Sequence, residues 1–140
     1  MAYINTQDMV KAFGTEEMIA LTNLDDPNAT EINETVLQKA IDDASFSVDG
    51  YLAVRYSVPI TPTPPVLIRI TCDFARGILD QNNPREEVVR RWDMALAYLK
   101  DLARGLAVLP IPQAETPPQT DSPQYHNPGR VFTRDSLSGY

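Results

Sequence analysis

The chain has 140 residues, of which 43% are hydrophobic and 22% charged, so it is long enough for one modest core. Its formal net charge is −7, and residues 1–64 hold ten acidic side chains against three basic ones. Binding of duplex DNA relies on cationic side chains that neutralise phosphates, so this excess of acidic residues disfavours a protein that binds DNA tightly. It is compatible with a surface past which DNA slides without sticking.

The sequence contains no apolar run long enough for a membrane span and no basic-then-apolar signal peptide. We therefore expect synthesis in a cytosol and no membrane partner. The single cysteine, Cys72, lies in an apolar helical pattern, which predicts a small buried side chain rather than a nucleophile. The single histidine, His126, lies in the C-terminal tail, where it cannot be held in a productive geometry. We expect no catalytic residue, no cofactor and no metal site, and hence no enzyme.

Two short helices are predicted at the start of the chain. Thr6 is the expected N-cap of a helix over 7–13, and Gly14 the expected stop. Thr15 is expected to cap a second helix over 16–21. The acidic stretch 25–31 lacks the spacing of a calcium loop, so it predicts a solvated loop.

Three long helices follow, predicted over 34–56, 66–79 and 84–104 from apolar residues that recur at three- and four-residue steps. Pro65 suits the first turn of the second long helix, and Gly105 suits the left-handed end of the third. Gly50 lowers helix propensity, and close approach of a neighbouring helix would explain it. Trp92 is interpreted as a core anchor, with an interface anchor as the alternative.

The segments between the helices carry further predictions. Four prolines between Ser57 and Pro65 predict a stiff, extended connector, and residues 106–111 could add one short strand. Arg69 and Asp73 are four apart on a helix and can pair. Three basic residues of the third long helix could form a patch, but pairing with Glu86 and Glu87 on a solvated face is the favoured interpretation; they are Arg85, Arg90 and Arg91.

The predicted fold class is therefore an all-α small helical bundle, with three long helices, short N-terminal helices and a possible short β segment. Residues 1–111 form the predicted helical domain, and residues 112–140 an extended, Pro-rich C-terminal arm. The arm ends in a segment dense in arginine and apolar side chains, which indicates a peptide that becomes ordered against a partner. Its predicted partner-binding residues are Arg130, Val131, Phe132, Arg134, Asp135, Leu137 and Tyr140. The alternative is a tail whose aromatic side chains bind nothing.

Several stretches of the chain, taken in order, resemble the Mu-like phage and prophage neck protein family. They are residues 1–4, Gly14 with Leu21 and Thr22, 40–44, 49–56, Pro64 with Pro65, 72–76, 95–105 and 130–135. That family is similar to the head–tail adaptor, or connector, proteins of long-tailed phages. The resemblance implies a helical virion protein, usually in twelve copies, that forms a ring on the portal, extends the DNA channel and docks the stopper or tail. It also implies location in the virion neck after assembly in the bacterial host cytoplasm.

In this interpretation the partners are the portal protein, neighbouring copies in a homo-dodecameric ring and a stopper or tail protein. Genomic DNA passes through without specific binding. Arg130 and Arg134 would pair with carboxylates of the portal or the next subunit, and the apolar side chains of the arm would anchor in grooves. The path of residues 112–128 stays open. The alternatives are another phage assembly protein, such as a tail terminator or head-completion protein, and a DNA-binding regulator that uses the second and third long helices.

Overall fold

A computed structural model describes residues 2–111, which form five α-helices. The helices are α1 (Thr6–Phe13), α2 (Thr15–Thr22), α3 (Glu34–Leu52), α4 (Pro65–Leu79) and α5 (Glu86–Arg104). The prediction of an all-α bundle with two short helices before three long ones is confirmed. The C-terminal arm over 112–140 lies outside the described residues.

Helix α4 lies at the centre of the fold, in contact with α1, α3 and α5. Because neighbouring helices cover α4 on several sides, all six residues from Thr71 to Arg76 are buried. They include Cys72, whose burial the sequence predicted. Each large apolar side chain removed from water there contributes about 1.5–3 kcal/mol. Helices α3 and α5 each give one apolar face to this core, at the three- and four-residue spacing read from the sequence.

The first helix begins one residue earlier than predicted. Asn5, not Thr6, is the N-cap: its side chain accepts the Asp8 N–H at 3.0 Å, and its own N–H donates to the Asp8 carboxylate at 3.0 Å. The Thr6 hydroxyl instead donates to Glu34 at 2.9 Å. Gly14, with φ of 93°, separates α1 from α2, so Thr15 is the first residue of α2 rather than its cap.

Two predicted boundaries of the long helices were wrong by a few residues. Helix α3 ends at Leu52 rather than near Tyr56: residues 53–55 form a turn, and the N–H groups of Arg55 and Tyr56 share the Leu52 carbonyl. Helix α5 begins at Glu86 rather than Pro84. Its N-cap residue, Arg85, has extended backbone. The predicted left-handed end at Gly105 is confirmed, with φ of 79°.

The proline connector is not extended throughout. The chain bends at 58–59 and 61–62, the peptide bonds before Pro59 and Pro62 are cis, and Ile60 is buried between them. Residues 106–111 also differ from prediction, since they form no strand. The first N–H groups of this segment bond to the last turn of α5 instead: Leu106 and Ala107 donate to the Asp101 carbonyl at 2.9 and 3.2 Å. No adjacent strand in the described part of the chain pairs with this segment.

Tyr3 fastens the N-terminal segment to two other parts of the fold. Its hydroxyl hydrogen-bonds to the Asp49 carboxylate of α3 and accepts the Ile60 N–H of the connector at 3.2 Å. Its backbone N–H donates to the Ser45 hydroxyl at 3.3 Å. Burial, together with the bond to Asp49, raises the pKa of Tyr3 to about 12.

The two glycines inside long helices have different surroundings. The prediction that a neighbouring helix approaches Gly50 was wrong within this chain, since a Cβ there would meet no atom within 4 Å. The close approach is at Gly77 instead, where a Cβ would collide with the Trp92 ring. That ring stacks on Phe74 with centroids 4.3 Å apart and packs, partly buried, against the core, which supports the interpretation of Trp92 as a core anchor.

Candidate interaction surfaces

The seven residues predicted to bind partners, from Arg130 to Tyr140, all lie outside the described residues, so that prediction stands as made. The described part of the chain offers other candidates. They are a charged cleft between α1, α2, α4 and α5, the outward faces of α3 and α5, and the segment that follows Gly105.

The charged cleft is organised by Arg76, whose side chain is 3% exposed. Its Nη2 donates to Glu17 Oε1 at 2.6 Å, and its Nη1 lies 3.3 Å from Asp80 Oδ2, in a geometry that makes an ion pair without a hydrogen bond. The guanidinium also lies over the Phe13 ring, 5.8 Å from its centroid. A single buried cation therefore joins α1, α2 and α4.

Two of the three arginines of the predicted basic patch complete the same cleft. Arg85 Nη2 donates to Glu17 Oε1 at 2.8 Å, the oxygen that Arg76 also contacts. Arg91 donates to Glu87 at 2.9 Å and lies 4.0 Å from Asp73, which pairs here across helices rather than with Arg69. The favoured interpretation, arginines neutralised by carboxylates, is thus borne out for Arg91, while Arg85 pairs with α2. Burial raises the pKa of Asp73, against the opposing influence of Arg91 and Arg69.

The dimensions of the cleft indicate a structural brace. Its volume is about 190 Å³, whereas small-molecule sites occupy about 300–1,000 Å³. Its charged side chains contact one another, so a ligand would have to break existing ion pairs. We therefore assign this cleft to holding α2 and the start of α5 against α4.

The acidic loop between α2 and α3 is stabilised by its own hydrogen bonds. Asp26 Oδ1 accepts the Asn28 N–H at 3.0 Å, and the Asn23 side chain donates to the Glu31 carbonyl at 2.8 Å. Across residues 2–111, no three His, Cys, Asp or Glu side chains gather as a metal site would require. Likewise, none of the helices in this part of the chain has the length and apolarity needed to cross a membrane.

The outward face of α3 carries a large apolar side chain that the sequence analysis did not single out. Phe46 is 68% exposed, and Val54, in the turn after the helix, is equally exposed. Gly50 lies one turn after Phe46 on the helix and four residues before Val54, so a notch without a side chain separates the two exposed side chains along the chain. The available signal was that Phe46 falls opposite the predicted buried face of its helix.

The outward face of α5 has a different character. Met94 is 59% exposed and Ala97 is exposed beside it. Four basic side chains are exposed between residues 90 and 104, against the exposed acid Asp93 and the half-exposed acid Asp101; they are Arg90, Arg91 (paired with Glu87), Lys100 and Arg104. This face is therefore basic around a flexible apolar centre, while the α3 face carries the acids Asp42 and Asp43.

The segment after Gly105 presents apolar side chains in alternation. Leu106 and Val108 are 75% and 74% exposed, whereas Leu109 is buried and its N–H donates to the Tyr56 hydroxyl at 3.2 Å. This short stretch, which we call the arm root (residues 106–111), is thus anchored on one side and open on the other. It leads directly into the predicted C-terminal arm.

The described residues define a small all-α protein whose unusual features are exposed apolar positions on otherwise polar helix faces. Residues 3–127 match the family described as "Bacteriophage Mu, Gp36". The chain therefore belongs to this family of Mu-like phage proteins, as the resemblance predicted.

Two relatives illustrate the family. The chain is 27% identical over 139 residues to "Mu-like prophage FluMu protein gp36" of Haemophilus influenzae, a match covering 99% of this chain and 97% of the relative. It is 29% identical over 104 residues to "Gene product J" of Escherichia phage Mu, covering 73% and 74% of the two chains. The similarity thus extends over nearly the full length of at least one relative.

Proposed function

We propose that this protein is a structural component of the virion neck, a head–tail adaptor that forms a ring on the portal and docks the stopper or tail. It would assemble in the host cytoplasm and act without catalysis. The observation that carries the proposal is the family match over residues 3–127, which includes the helical domain and much of the tail. The ordered sequence stretches described above resemble the neck protein family, which is similar to head–tail adaptor proteins.

The physical features of the described residues support a protein that works through contacts with other proteins. Apolar side chains that are more than half exposed are expected where a partner covers them. Here they lie on α3 and in the turn after it, on α5 and in the arm root, and Leu24 adds one in the loop between α2 and α3. The net charge of −7 suits a ring around DNA, because an attractive lumen would slow the passage of the polyanion.

The C-terminal arm is the part that we assign to partner capture. The arm root, which precedes the arm in sequence, follows the end of α5 and exposes Leu106 and Val108. Arg130 and Arg134 would pair with carboxylates of the portal or of the next subunit, while Phe132, Leu137 and Tyr140 would fill apolar grooves. Many copies, each holding weakly, would give a stable ring through multivalency.

Electron microscopy of the purified chain mixed with a portal ring from the same genome tests the proposal. The full-length chain and a chain ending at Pro128 would be compared. We expect a second ring stacked on the portal with the full-length chain, and loss of that ring on truncation. A matched control replaces Ser136 and Ser138 by Ala, which changes the arm without removing its charged or apolar side chains, and should retain the ring.

Other outcomes separate the parts of the proposal. Added density with both chains would keep the adaptor role and remove the arm from it. Bare portal rings with either chain would contradict the adaptor role and favour a tail-terminator or head-completion protein.

A further inference from the structure

We propose that the outward face of α3 in one copy binds the outward face of α5 in the next copy, with Met94 seated at the Gly50 notch. The inference deepens the proposed function, since it rests on copies of this chain meeting in a ring. The occupant is therefore a second copy of this chain, and the two surfaces that meet are unlike each other.

The shape of the α3 face is the first argument. Phe46 and Val54 are each 68% exposed and flank Gly50, where open space surrounds the backbone. A helix–helix contact needs a side chain from one helix to enter a gap between side chains of the other. No atom of the described fold comes close enough to Gly50 to explain a glycine there, whereas close approach of a helix from a second copy would explain it.

The α5 face supplies the side chain that such a gap accepts. Met94 is 59% exposed at the centre of the helix, and Ala97, one turn further on, lets a second helix come close. Methionine is unbranched and flexible, so it adapts to an irregular hole between an aromatic ring and a valine.

Charge complementarity selects this pairing over contact between two like faces. On α3, Asp42 and Asp43 lie one turn before Phe46, with the exposed bases Lys39 and Arg55 towards the two ends of the face. On α5, the exposed charges from Arg90 onward are mainly basic, with Lys100 and Arg104 among them. Two α3 faces would bring acids together, and two α5 faces would bring bases together, whereas unlike faces attract.

The geometry of a head-to-tail contact fits a ring. Helices α3, α4 and α5 pack against one another in pairs, so the outward faces of α3 and α5 lie on different sides of the bundle. When two copies join through unlike faces, one copy keeps a free α3 face and the other keeps a free α5 face. The contact therefore propagates from copy to copy and generates a closed ring when the rotation closes.

Cysteine cross-linking tests the contact directly. Ser47→Cys on α3 and Ala97→Cys on α5 are both exposed, small substitutions that leave Phe46, Gly50 and Met94 intact. The native Cys72 is 4% exposed, so the unaltered chain should give no product. The variants would be treated with a short bismaleimide, both alone at high concentration and bound to the portal ring.

The expected result is a dimer band when the two single variants are mixed, and a ladder when both cysteines are on one chain. Ala20→Cys on α2, paired with Ser47→Cys, is the matched control and should give no dimer. Dimers of Ser47→Cys alone, or of Ala97→Cys alone, would overturn the head-to-tail arrangement. A product with the mass of chain plus portal subunit at either position would assign these faces to the portal instead.

A second variant separates the interface from folding. Gly50→Gln places a good helix former in open space, so the midpoint of thermal unfolding should stay equal or rise. The same side chain fills the notch, and we expect the yield of the cross-link between positions 47 and 97 to fall about tenfold. An unchanged yield would remove Gly50 from the contact.

The results also separate this inference from the proposed function. A chain that stays on the portal but gives no 47–97 product would overturn the interface and leave the adaptor role in place. If the chain is not retained on the portal, the adaptor role fails, and the products formed by the chain alone decide the interface: their presence supports it and their absence overturns it.

Discussion

The ionisation of the Tyr3 hydroxyl group predicts how the free energy of unfolding changes at alkaline pH. Its pKa is raised from 10.0 to about 12 in the folded state, chiefly by burial, so the folded chain keeps this proton where the unfolded chain loses it. The unfolded state then binds fewer protons, and the free energy of unfolding falls as the pH rises from 10 to 12.

We predict that Tyr3→Phe makes this fall shallower by up to about 2–3 kcal/mol across the window. At neutral pH the same variant should be less stable by about 1–2 kcal/mol, because the Ile60 N–H loses its acceptor. Urea unfolding at several pH values measures both effects. Parallel stability curves for the two proteins above pH 10 would contradict the assignment.

The two helix-interior glycines give a matched pair of substitutions with opposite predicted signs. Gly77→Ala would push a methyl group into the Trp92 ring, which the stack on Phe74 holds in place, and should destabilise the fold by about 1–3 kcal/mol. Gly50→Ala meets no atom and should stabilise it by about 0.5–1 kcal/mol. Thermal unfolding of both variants checks this; an equal or reversed order would mean that the Trp92 contact is not rigid.

At the scale of the elements, the ion pairs of Arg76 determine how α2 and α5 attach to α4. Glu17 Oε1 contacts both the buried Arg76 and the largely exposed Arg85. We predict that Glu17→Ala costs about 2–3 kcal/mol, since it leaves a buried cation with only Asp80 nearby. Arg85→Ala, which removes an exposed partner of the same oxygen, should cost less than about 1 kcal/mol.

Chemical denaturation of these two variants and the native chain provides the measurement. Glu17→Gln is a useful companion, because it keeps the shape and removes the charge. Similar losses for Glu17→Ala and Arg85→Ala would show that solvent screens Arg76 as fully as it screens Arg85, against the burial of its side chain.

The order and type of all five helices could be predicted from sequence, because the periodic apolar residues are also those that the core buries. The boundaries depended on contacts that no local pattern contains. Thr6 is a good cap by type, but its hydroxyl binds Glu34 from α3, and Asn5 takes the role with Asp8. Arg85 is extended at the start of α5, where its side chain reaches Glu17 on α2.

At the scale of the whole molecule, the net charge and its distribution determine whether the protein binds DNA. The net charge of −7 repels a polyanion, and carboxylates neutralise Arg85 and Arg91, so the few basic side chains exposed on α5 are set against an excess of acids. We predict no binding of duplex DNA at micromolar protein in physiological salt, measured by fluorescence anisotropy. A salt-dependent affinity below micromolar would favour the DNA-binding regulator instead.

The candidate surfaces were only partly predictable. The sequence singled out the C-terminal arm by its composition, and that prediction rests on residues 129–140, beyond the described part of the chain. It also singled out Gly50, but the neighbouring helix expected there is not found in this chain, and a helix of a second copy is our proposal. It missed Phe46 and Met94. The position of Phe46 opposite the buried face of α3 was a signal, but single exposed apolar residues are common, and only the fold shows that no intrachain contact covers most of either side chain.

Native mass spectrometry of the chain purified in complex with its portal ring tests the adaptor role most directly. We predict one copy of this chain for every portal subunit, as expected for a stacked ring of matching symmetry. One or a few copies per portal ring, or a portal ring that carries none, would contradict it.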